Sequence, residues 1–333
     1  MLFTSRNSII YIASIIIFSF SACNDDNKLE VNLEGNERDV SIAYFDQAFW
    51  QLDSLNFGEG IQEMEKKYPD FFLNNSVSEK DWYTRFQDEK IHNFSDSLFT
   101  LFRDSVQYTV ELNEGFKRFQ YFFEGENLPQ IAAWFSNFEM TSAIVSSENT
   151  LFIAGEHFLG PEHQFYNGVP EYIRFDKQLA FMSPKVMLEW SNRFNAVDEN
   201  DQTFLSRIIY EGKRLYFTEQ LLNLEDDNRI IAYSKENIRW SEKNEGSIWQ
   251  FFINNDYLFS NEQKLKRRFI DPSPFSKFYT GNDNATPGRI GTWIGWKIIQ
   301  SYMEHNPKVS LSALMKEKNA KKILNKSKYK PKI

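Results

Sequence analysis

Two glycines one helical turn apart constrain the fold of this chain more than any other feature of its sequence. Gly291 and Gly295 lie in the segment TPGRIGTWIGWKIIQSYMEHNP, residues 286–307. The same segment carries large apolar residues at helical spacing, namely Ile294, Ile298, Ile299, Tyr302 and Met303. Because glycine has no Cβ, another backbone can approach that side of a helix closely. The pattern therefore predicts a central, tightly packed helix at 288–304.

The remaining periodicity predicts a single, mostly helical α+β domain with a small sheet. Apolar residues recur every three or four positions in several further segments, and we predict helices at 94–106, 112–123, 184–196, 202–222, 247–259 and 310–318. Ser78-x-x-Asp81 is typical of a helix start at 78–87. Short β-branched and aromatic runs between turn residues predict strands within 130–156, and a strand leading into a helix is expected at 39–50.

The N-terminus has the parts of a secretory signal peptide. A short segment with Arg6 precedes an apolar run from Ile9 to Phe20, which is shorter than the about 20 apolar residues of a membrane-spanning helix. The sequence FSAC that ends at Cys23 is similar to a bacterial lipobox, in which the cysteine is acylated and starts the mature chain. Cys23 is the only cysteine, so no disulfide forms within one chain. We predict a lipoprotein signal peptide at 1–22 and a covalent lipid on Cys23.

Charge divides the rest of the chain. Residues 24–39 hold six acidic and two basic side chains and few large apolar ones, which predicts a solvated acidic tether at 23–38. Residues 316–333 hold eight lysines and one glutamate, and we predict a basic C-terminal tail that is either a solvated end or a contact with anionic lipid or a partner. The formal net charge is −8, which leaves −15 outside that tail and argues against a nucleic-acid partner. The globular domain is expected at 39–315.

The common catalytic motifs are absent from the sequence. There is no Gly-x-Ser-x-Gly elbow, no His-Glu-x-x-His segment and no glycine-rich phosphate loop. We therefore expect no catalytic residue, no metal and no cofactor apart from the lipid on Cys23.

A zinc site in a loop is an alternative. His157 and His163 are six residues apart, and the Gly160-Pro161 between them breaks any helix. The two imidazoles could still meet in a loop, with Glu211 as a further ligand. Possible co-ligands are Glu156, Glu162 and Asp176.

Glu211 poses a separate problem. In RIIYEGKRLYF, residues 207–217, a helix would place Glu211 within the apolar stripe of Phe204, Ile208 and Leu215. An unpaired buried carboxylate is costly, so it would need a metal or a cation. Arg289, at the start of the central helix, is placed to supply one, and we predict a buried charge pair between Glu211 and Arg289.

The chain resembles the gliding-motility-associated lipoprotein GldB family of the Bacteroidetes. The resemblance rests on the lipobox cysteine and on four blocks whose order and spacing are specific, GEHFLGPEHQFYNGVPEYI, IIYEGKRLYFTEQLL, WSEKNEGSIWQFFINNDYLFS and TPGRIGTWIGWKIIQSYMEHNPKVSLSALM. It covers nearly the whole chain after the tether. It implies a membrane-anchored lipoprotein of the cell envelope that supports gliding motility, with protein partners in the motility and secretion machinery.

The chain is also distantly similar to a family of predicted zinc peptidases. In that family a His-Glu-x-x-His helix precedes an EG-x-x-x-Y-F helix, and Glu211 with Gly212 matches the third-ligand position. The first helix falls near MLEWSNRF, where Glu189 stands at the place of the general base but Leu188 and Asn192 occupy the histidine places. The resemblance thus implies a zincin-like scaffold that has lost its metal and acts as a pseudo-enzyme.

Three functions from different classes follow. The favoured one is a non-catalytic interaction or scaffold component of the envelope machinery. The alternatives are a zinc-dependent peptidase or other hydrolase and a module that binds cell-wall polysaccharide. The last would use exposed aromatic rings, with Trp82, Trp134, Trp240 and Trp249 as candidates.

Overall fold

A computed structural model describes residues 29, 31, 39–73, 77–225 and 228–332. The predicted signal peptide and Cys23 lie outside these residues. Among them, no helix is long and apolar enough to cross a lipid bilayer.

The first half of the described chain contains the sheet. Its elements are β1 (Ile42–Tyr44), α1 (Phe45–Phe49), α2 (Phe57–Lys67), α3 (Pro69–Leu73), α4 (Glu79–Phe86), α5 (Glu89–Arg103), α6 (Val106–Phe122), β2 (Gln130–Trp134), β3 (Ile144–Ser146) and β4 (Thr150–Ala154). The predicted strand–helix pair at 39–50 is confirmed by β1 and α1. The predicted helix start is also confirmed, because Ser78 and Asp81 form a reciprocal capping box at the start of α4.

The second half is helical. Its elements are α7 (Glu171–Arg174), α8 (Met182–Ser191), α9 (Phe204–Leu222), α10 (Asn228–Ile231), α11 (Lys235–Asn254), α12 (Gln263–Phe269), α13 (Ile290–His305), α14 (Leu311–Lys316) and α15 (Ala320–Ser327). The architecture is one α+β domain that is mostly helical, as the periodicity predicts.

The sheet has the strand order β1-β2-β4-β3, in which β1, β2 and β4 run parallel and β3 is an antiparallel edge. All five residues of β4 are buried, whereas β3 buries only its first. Alternate residues of β2 and β4 face opposite sides, as the two-residue period of a strand requires. Ile131 and Ile153 join the main core, and Ala132 and Phe152 join a second, smaller core.

Helices cover both faces of the sheet. The main core lies between the sheet and α6, α8, α9 and α13. On the other face, α1 to α4 enclose a smaller core that is rich in aromatic rings, and Phe45 and Phe71 stack there with centroids 4.0 Å apart.

The predicted central helix is α13, and its closest neighbour is α9. A Cβ built on Gly295 would lie 1.8 Å from the carbonyl oxygen of Ile208. A Cβ on Gly212 of α9 would lie 2.3 Å from the backbone of Gly295. Both helices therefore present glycine at the crossing, and the two backbones touch directly. Gly291 packs instead against Phe269 and the ring of Phe204.

Two boundary predictions are wrong at the C-terminal half. The helix expected at 247–259 is α11, which begins twelve residues earlier because Ser234 caps it by accepting a hydrogen bond from the Asn237 N–H at 3.1 Å. The region expected as a basic tail at 316–333 contains α15, whose Ala320, Ile323 and Ser327 are buried. Helical spacing of these residues beneath the lysines is the reason.

The acidic tether is also held at one described residue. The Leu29 N–H donates to Oε1 of Gln220 at 2.8 Å, and Arg118 Nη2 donates to the carbonyl oxygen of Leu29 at 3.0 Å. Leu29 is half-buried. The predicted tether at 23–38 is therefore not solvated throughout, since this residue is bonded to α6 and α9.

Candidate functional site

The two carboxylates singled out by the peptidase resemblance lie on neighbouring helices. Glu189 is near the end of α8, which packs on α9. Its Oε1 accepts a hydrogen bond from Oγ of Ser146 on β3 at 2.8 Å, and its Oε2 accepts one from Nδ2 of Asn192 at 3.1 Å. Both oxygens of the carboxylate at the base position thus have donors from the chain itself.

Glu211 has a cation of its own helix as its partner. Its Oε2 accepts a hydrogen bond from Arg214 Nη1 at 2.8 Å, and its side chain is 25% exposed. Arg214 also donates from Nη2 to the carbonyl oxygen of Leu188 at 3.3 Å. The guanidinium therefore joins Glu211 on α9 to Leu188 on α8, two of the residues that the peptidase resemblance singles out.

The predicted buried pair between Glu211 and Arg289 is wrong. Glu211 is only partly buried and is neutralised three residues along its own helix, a spacing that places two side chains side by side. Arg289 adopts a left-handed conformation with φ 57°, donates to the carbonyl oxygen of Ile231 and lies over the ring of Tyr233 at 5.7 Å. It joins α10 to the start of α13.

Tyr210 completes a polar group between α8 and α9. Its hydroxyl donates to Oδ1 of Asn192 at 3.0 Å. Burial raises the pKa of Tyr210. The nearby charge of Arg214 lowers this pKa, and the charges of Glu211 and Glu189 raise it. We call this group of five residues the α8–α9 cluster, namely Glu189, Asn192, Tyr210, Glu211 and Arg214.

The structure does not bring the predicted histidine ligands together with Glu211. His157 Nε2 lies 2.9 Å from the carbonyl oxygen of Met140, and its Nδ1 lies 2.9 Å from Lys177 Nζ. Burial and the charge of Lys177 lower the pKa of His157. His163 Nδ1 accepts from the Phe165 N–H at 3.3 Å.

The possible co-ligands are engaged as well. Glu162 pairs with Arg174 at 3.0 Å, and Asp176 pairs with Lys185 at 2.9 Å. Glu156 is fully buried and bonded to a loop described below. Within the described parts of the chain, no group of three or more His, Cys, Asp or Glu side chains is arranged to hold a metal ion.

A second polar centre lies at the carboxyl ends of the three parallel strands. Asp46 follows β1, Ser136 follows β2 and Glu156 follows β4, in each case two residues beyond the strand. All three are buried. Arg85 donates from Nη2 to Asp46 at 3.1 Å, and burial raises the pKa of Asp46 although Arg85 opposes it. We call this group of four residues the strand-end cluster, namely Asp46, Arg85, Ser136 and Glu156.

The strand-end cluster shapes the loop after β2. Glu156 accepts hydrogen bonds from the Ser136 hydroxyl, from the Ser136 N–H at 3.2 Å and from the Phe138 N–H at 3.0 Å. Asn137 and Phe138 both have positive φ, 55° and 63°. Non-glycine residues rarely adopt this conformation, and the carboxylate supplies the compensating bonds.

This second cluster is not among the predictions from the sequence, although a signal for it is present there. Carboxyl ends of parallel strands lie at one edge of a sheet, where α/β proteins place polar groups. Each polar residue here stands at the same offset from a buried strand. Finding it required knowing that β1, β2 and β4 are parallel, which the short apolar runs did not show.

The four candidate tryptophans divide into two groups. Trp82 and Trp249 are buried, with 4% and 8% exposure, so their faces cannot stack on a sugar. Trp134 and Trp240 are half-buried and line clefts. The Trp240 cleft has a volume of about 400 Å³ and lies between α11 and residues 278–286.

The fold is thus a single α+β domain in which Glu189 and Glu211, the carboxylates that the peptidase resemblance singles out, are bonded within the chain. The family model described as gliding motility protein GldB matches residues 26–331. The chain therefore belongs to the GldB family, as the sequence resemblance indicates, and is a gliding-motility-related lipoprotein of the cell envelope. Neither the curated proteins nor the solved structures contain a match to this chain.

Proposed function

We propose that this protein is a lipid-anchored, non-catalytic component of the envelope machinery for gliding motility and protein secretion. Acylation of Cys23 would hold the domain at a membrane, and the domain would act through contacts with protein partners. The zinc-peptidase likeness would then be a scaffold that has lost its chemistry.

The observation that supports this proposal is the pairing of Glu211 with Arg214. A zinc ligand must be an unprotonated donor free to face the metal, and Glu211 instead faces a guanidinium at 2.8 Å. The two places that would hold imidazoles carry Leu188 and Asn192, and Asn192 bridges Glu189 and Tyr210. Arg214 thus supplies the positive charge that lies next to Glu211.

The test is a complementation experiment in a gliding strain that lacks this gene. Glu189→Gln and Glu211→Gln should each restore spreading on agar to nearly the wild-type rate, because no step of the function uses these carboxylates. The matched control is Cys23→Ala, which should abolish anchoring and motility.

Metal content gives the second readout. The chain from residue 24, purified without chelator, should contain far less than one zinc per molecule by elemental analysis. One zinc per chain, lost in Glu211→Gln together with motility, would refute the non-catalytic role and support the hydrolase alternative.

Polysaccharide binding is a second candidate function, and the Trp240 cleft favours it. Its wall on α11 is a helical stripe of Trp240, Asn244 and Phe251, and the facing wall contributes Phe278 and Asn282. None of the described residues that line it is charged. Aromatic faces beside amide and hydroxyl groups match the apolar faces and hydroxyls of a neutral sugar.

Binding of a neutral glycan tests this candidate function. Trp240→Ala should reduce the binding of chitotetraose measured by saturation-transfer NMR, whereas Trp134→Ala, in the other cleft, should leave it unchanged. Equal binding by both variants would exclude the Trp240 cleft as the site.

A further inference from the structure

The C-terminal segment forms a strongly cationic surface. All eight of its lysines are exposed, namely Lys316, Lys318, Lys321, Lys322, Lys326, Lys328, Lys330 and Lys332. Its one acidic residue, Glu317, pairs with Lys322. The remainder of the protein carries −15, so the molecule has a marked separation of charge. We call residues 316–332 the basic face.

The basic face is fixed on the folded domain. α15 packs on α13, and Ile323 is fully buried beneath it. Ser301 Oγ of α13 donates to the carbonyl oxygen of Ser327 at 2.8 Å, and Asn306 Nδ2 donates to that of Lys326 at 3.1 Å. The lysines of α15 are therefore held on the folded domain and do not belong to a freely moving tail.

One described residue of the N-terminal segment is bonded to α9, the helix that packs on α13. Leu29 is held by Gln220, the neighbour of Glu219 on α9. Glu219 accepts a hydrogen bond from Gln300 of α13 at 3.0 Å, and Gln300 precedes the Ser301 that holds α15. The helix that holds Leu29 and the helix that holds α15 are thus bonded to each other through Glu219 and Gln300.

Chain length fixes how far the lipid can be from this region. Six residues separate Cys23 from Leu29, and they span at most about 20 Å even when fully extended. A lipid on Cys23 would bring the membrane within that distance of Leu29. The part of the domain that carries Leu29 would then be near the bilayer.

We propose that the basic face docks on anionic phospholipid headgroups, as a second membrane contact beside the lipid on Cys23. This inference rests on the lipid anchor put forward under Proposed function. Lysines near an anionic surface are attracted to it, and a lipid chain acts together with a basic patch to stabilise attachment. The acidic remainder of the domain is repelled by the same surface and is oriented away from it.

Vesicle flotation of the unlipidated chain from residue 24 tests the proposal without the anchor. Every helix and strand of the described chain lies between residues 42 and 327, so this form keeps the whole core. We expect binding to vesicles of phosphatidylcholine with phosphatidylglycerol, weakening as salt is raised, and no binding to phosphatidylcholine alone.

A matched pair of triple variants locates the surface. Changing Lys321, Lys326 and Lys330 to Gln should lower binding to the anionic vesicles by about fivefold per lysine, roughly 100-fold in total. The control changes Lys66, Lys80 and Lys90 to Gln, an equal loss of charge on exposed sites of α2, α4 and α5, and should retain binding.

Three outcomes would overturn the proposal. They are no binding to anionic vesicles at low salt, equal binding to neutral ones, and equal loss of binding in both triple variants. The last would assign binding to net charge alone. Failure here leaves the role of Cys23 intact, because Cys23→Ala in cells tests the anchor separately. If the basic face binds an acidic protein and not lipid, the expected outcome is the first one, no binding to anionic vesicles at low salt.

Discussion

At the scale of single residues, Lys213 shows how a buried cation can be structural. Its side chain is 2% exposed, and its Nζ donates to three backbone carbonyls, those of Ala196 at 3.0 Å, Met315 at 3.3 Å and Glu317 at 2.9 Å. It therefore joins α9 to the loop after α8 and to the end of α14. Burial lowers the pKa of Lys213 to about 8, although the charge of Glu317 opposes the change.

Lys213→Met should destabilise the fold by about 2–4 kcal/mol, because the carbonyl oxygens of Ala196 and Glu317 lose this donor and that of Met315 keeps only the Ala196 N–H. The unfolded chain keeps the ordinary lysine pKa of about 10.4, so between pH of about 8 and 10.4 it binds a proton that the folded chain has released. Stability of the wild type must then rise with pH relative to the variant. Urea unfolding at pH 7 and pH 10 measures this, and a gap between the two proteins that shrinks at pH 10 would contradict it.

Glu156 is the second residue with a testable structural role. Glu156→Gln places an amide group among three donors and should cost about 2–3 kcal/mol. Glu162→Gln is the control, since its carboxylate is 83% exposed in the ion pair with Arg174, and it should change stability by less than about 1 kcal/mol. Equal effects of the two variants on the unfolding midpoint would show that the strand-end cluster does not stabilise the loop.

At the scale of elements, the crossing of α9 and α13 organises the helical half. Side chains normally separate two packed helices by 8–10 Å between axes, whereas here Gly212 and Gly295 let the backbones meet. The sequence predicts this close approach on the α13 side only, from its two glycines. Gly212 was visible in RIIYEGKRLYF, but its partner could not be named before the two helices were placed together.

Gly295→Ala should destabilise the protein by at least about 3 kcal/mol, because the obstructing atom is the carbonyl oxygen of Ile208 and the backbone cannot move aside. Gly281→Ala is the matched control. It has nothing within 4 Å of the added Cβ and should change stability by at most about 0.5 kcal/mol. Thermal unfolding followed by circular dichroism compares the two, and a mild effect at Gly295 would mean that the helices separate easily.

At the scale of the whole molecule, the C-terminal segment belongs to the cooperative unit of the fold. Ile323 is fully buried, and α15 packs on α13 and α9. The domain boundary placed at 315 was drawn from charge alone, and charge does not reveal which side of a short helix is buried. The family match to residue 331 agrees with the folded boundary.

Ile323→Ala should lower the stability of the entire domain by about 2–4 kcal/mol, in a single unfolding transition. Lys321→Ala, two residues away and exposed, should have little effect. Chemical unfolding followed by tryptophan fluorescence reports the main core, where Trp293 and Trp296 are buried. An unchanged midpoint for Ile323→Ala would show that α15 unfolds on its own.

The sequence by itself determined the fold class, the family, most helices and the tightly packed central helix. Each of these depends on local periodicity, on a motif or on the absence of a side chain at one position. All three features can be read from residues that are neighbours in the chain. Tertiary structure alone decided the partners of the charges. Glu211 had cations available at Arg214 and Arg289, and only the position of Arg289 over Tyr233 showed that it was engaged elsewhere.

The strand-end cluster and the basic face have the same explanation. Asp46, Ser136 and Glu156 are separated by up to 110 residues and meet because three strands run parallel. Leu29 and Ser327 lie at opposite ends of the chain, and they are bonded to α9 and α13, the two helices that cross at Gly212 and Gly295. Periodicity predicts which side of an element is buried, but which elements share a surface is set by long-range packing that no local pattern encodes.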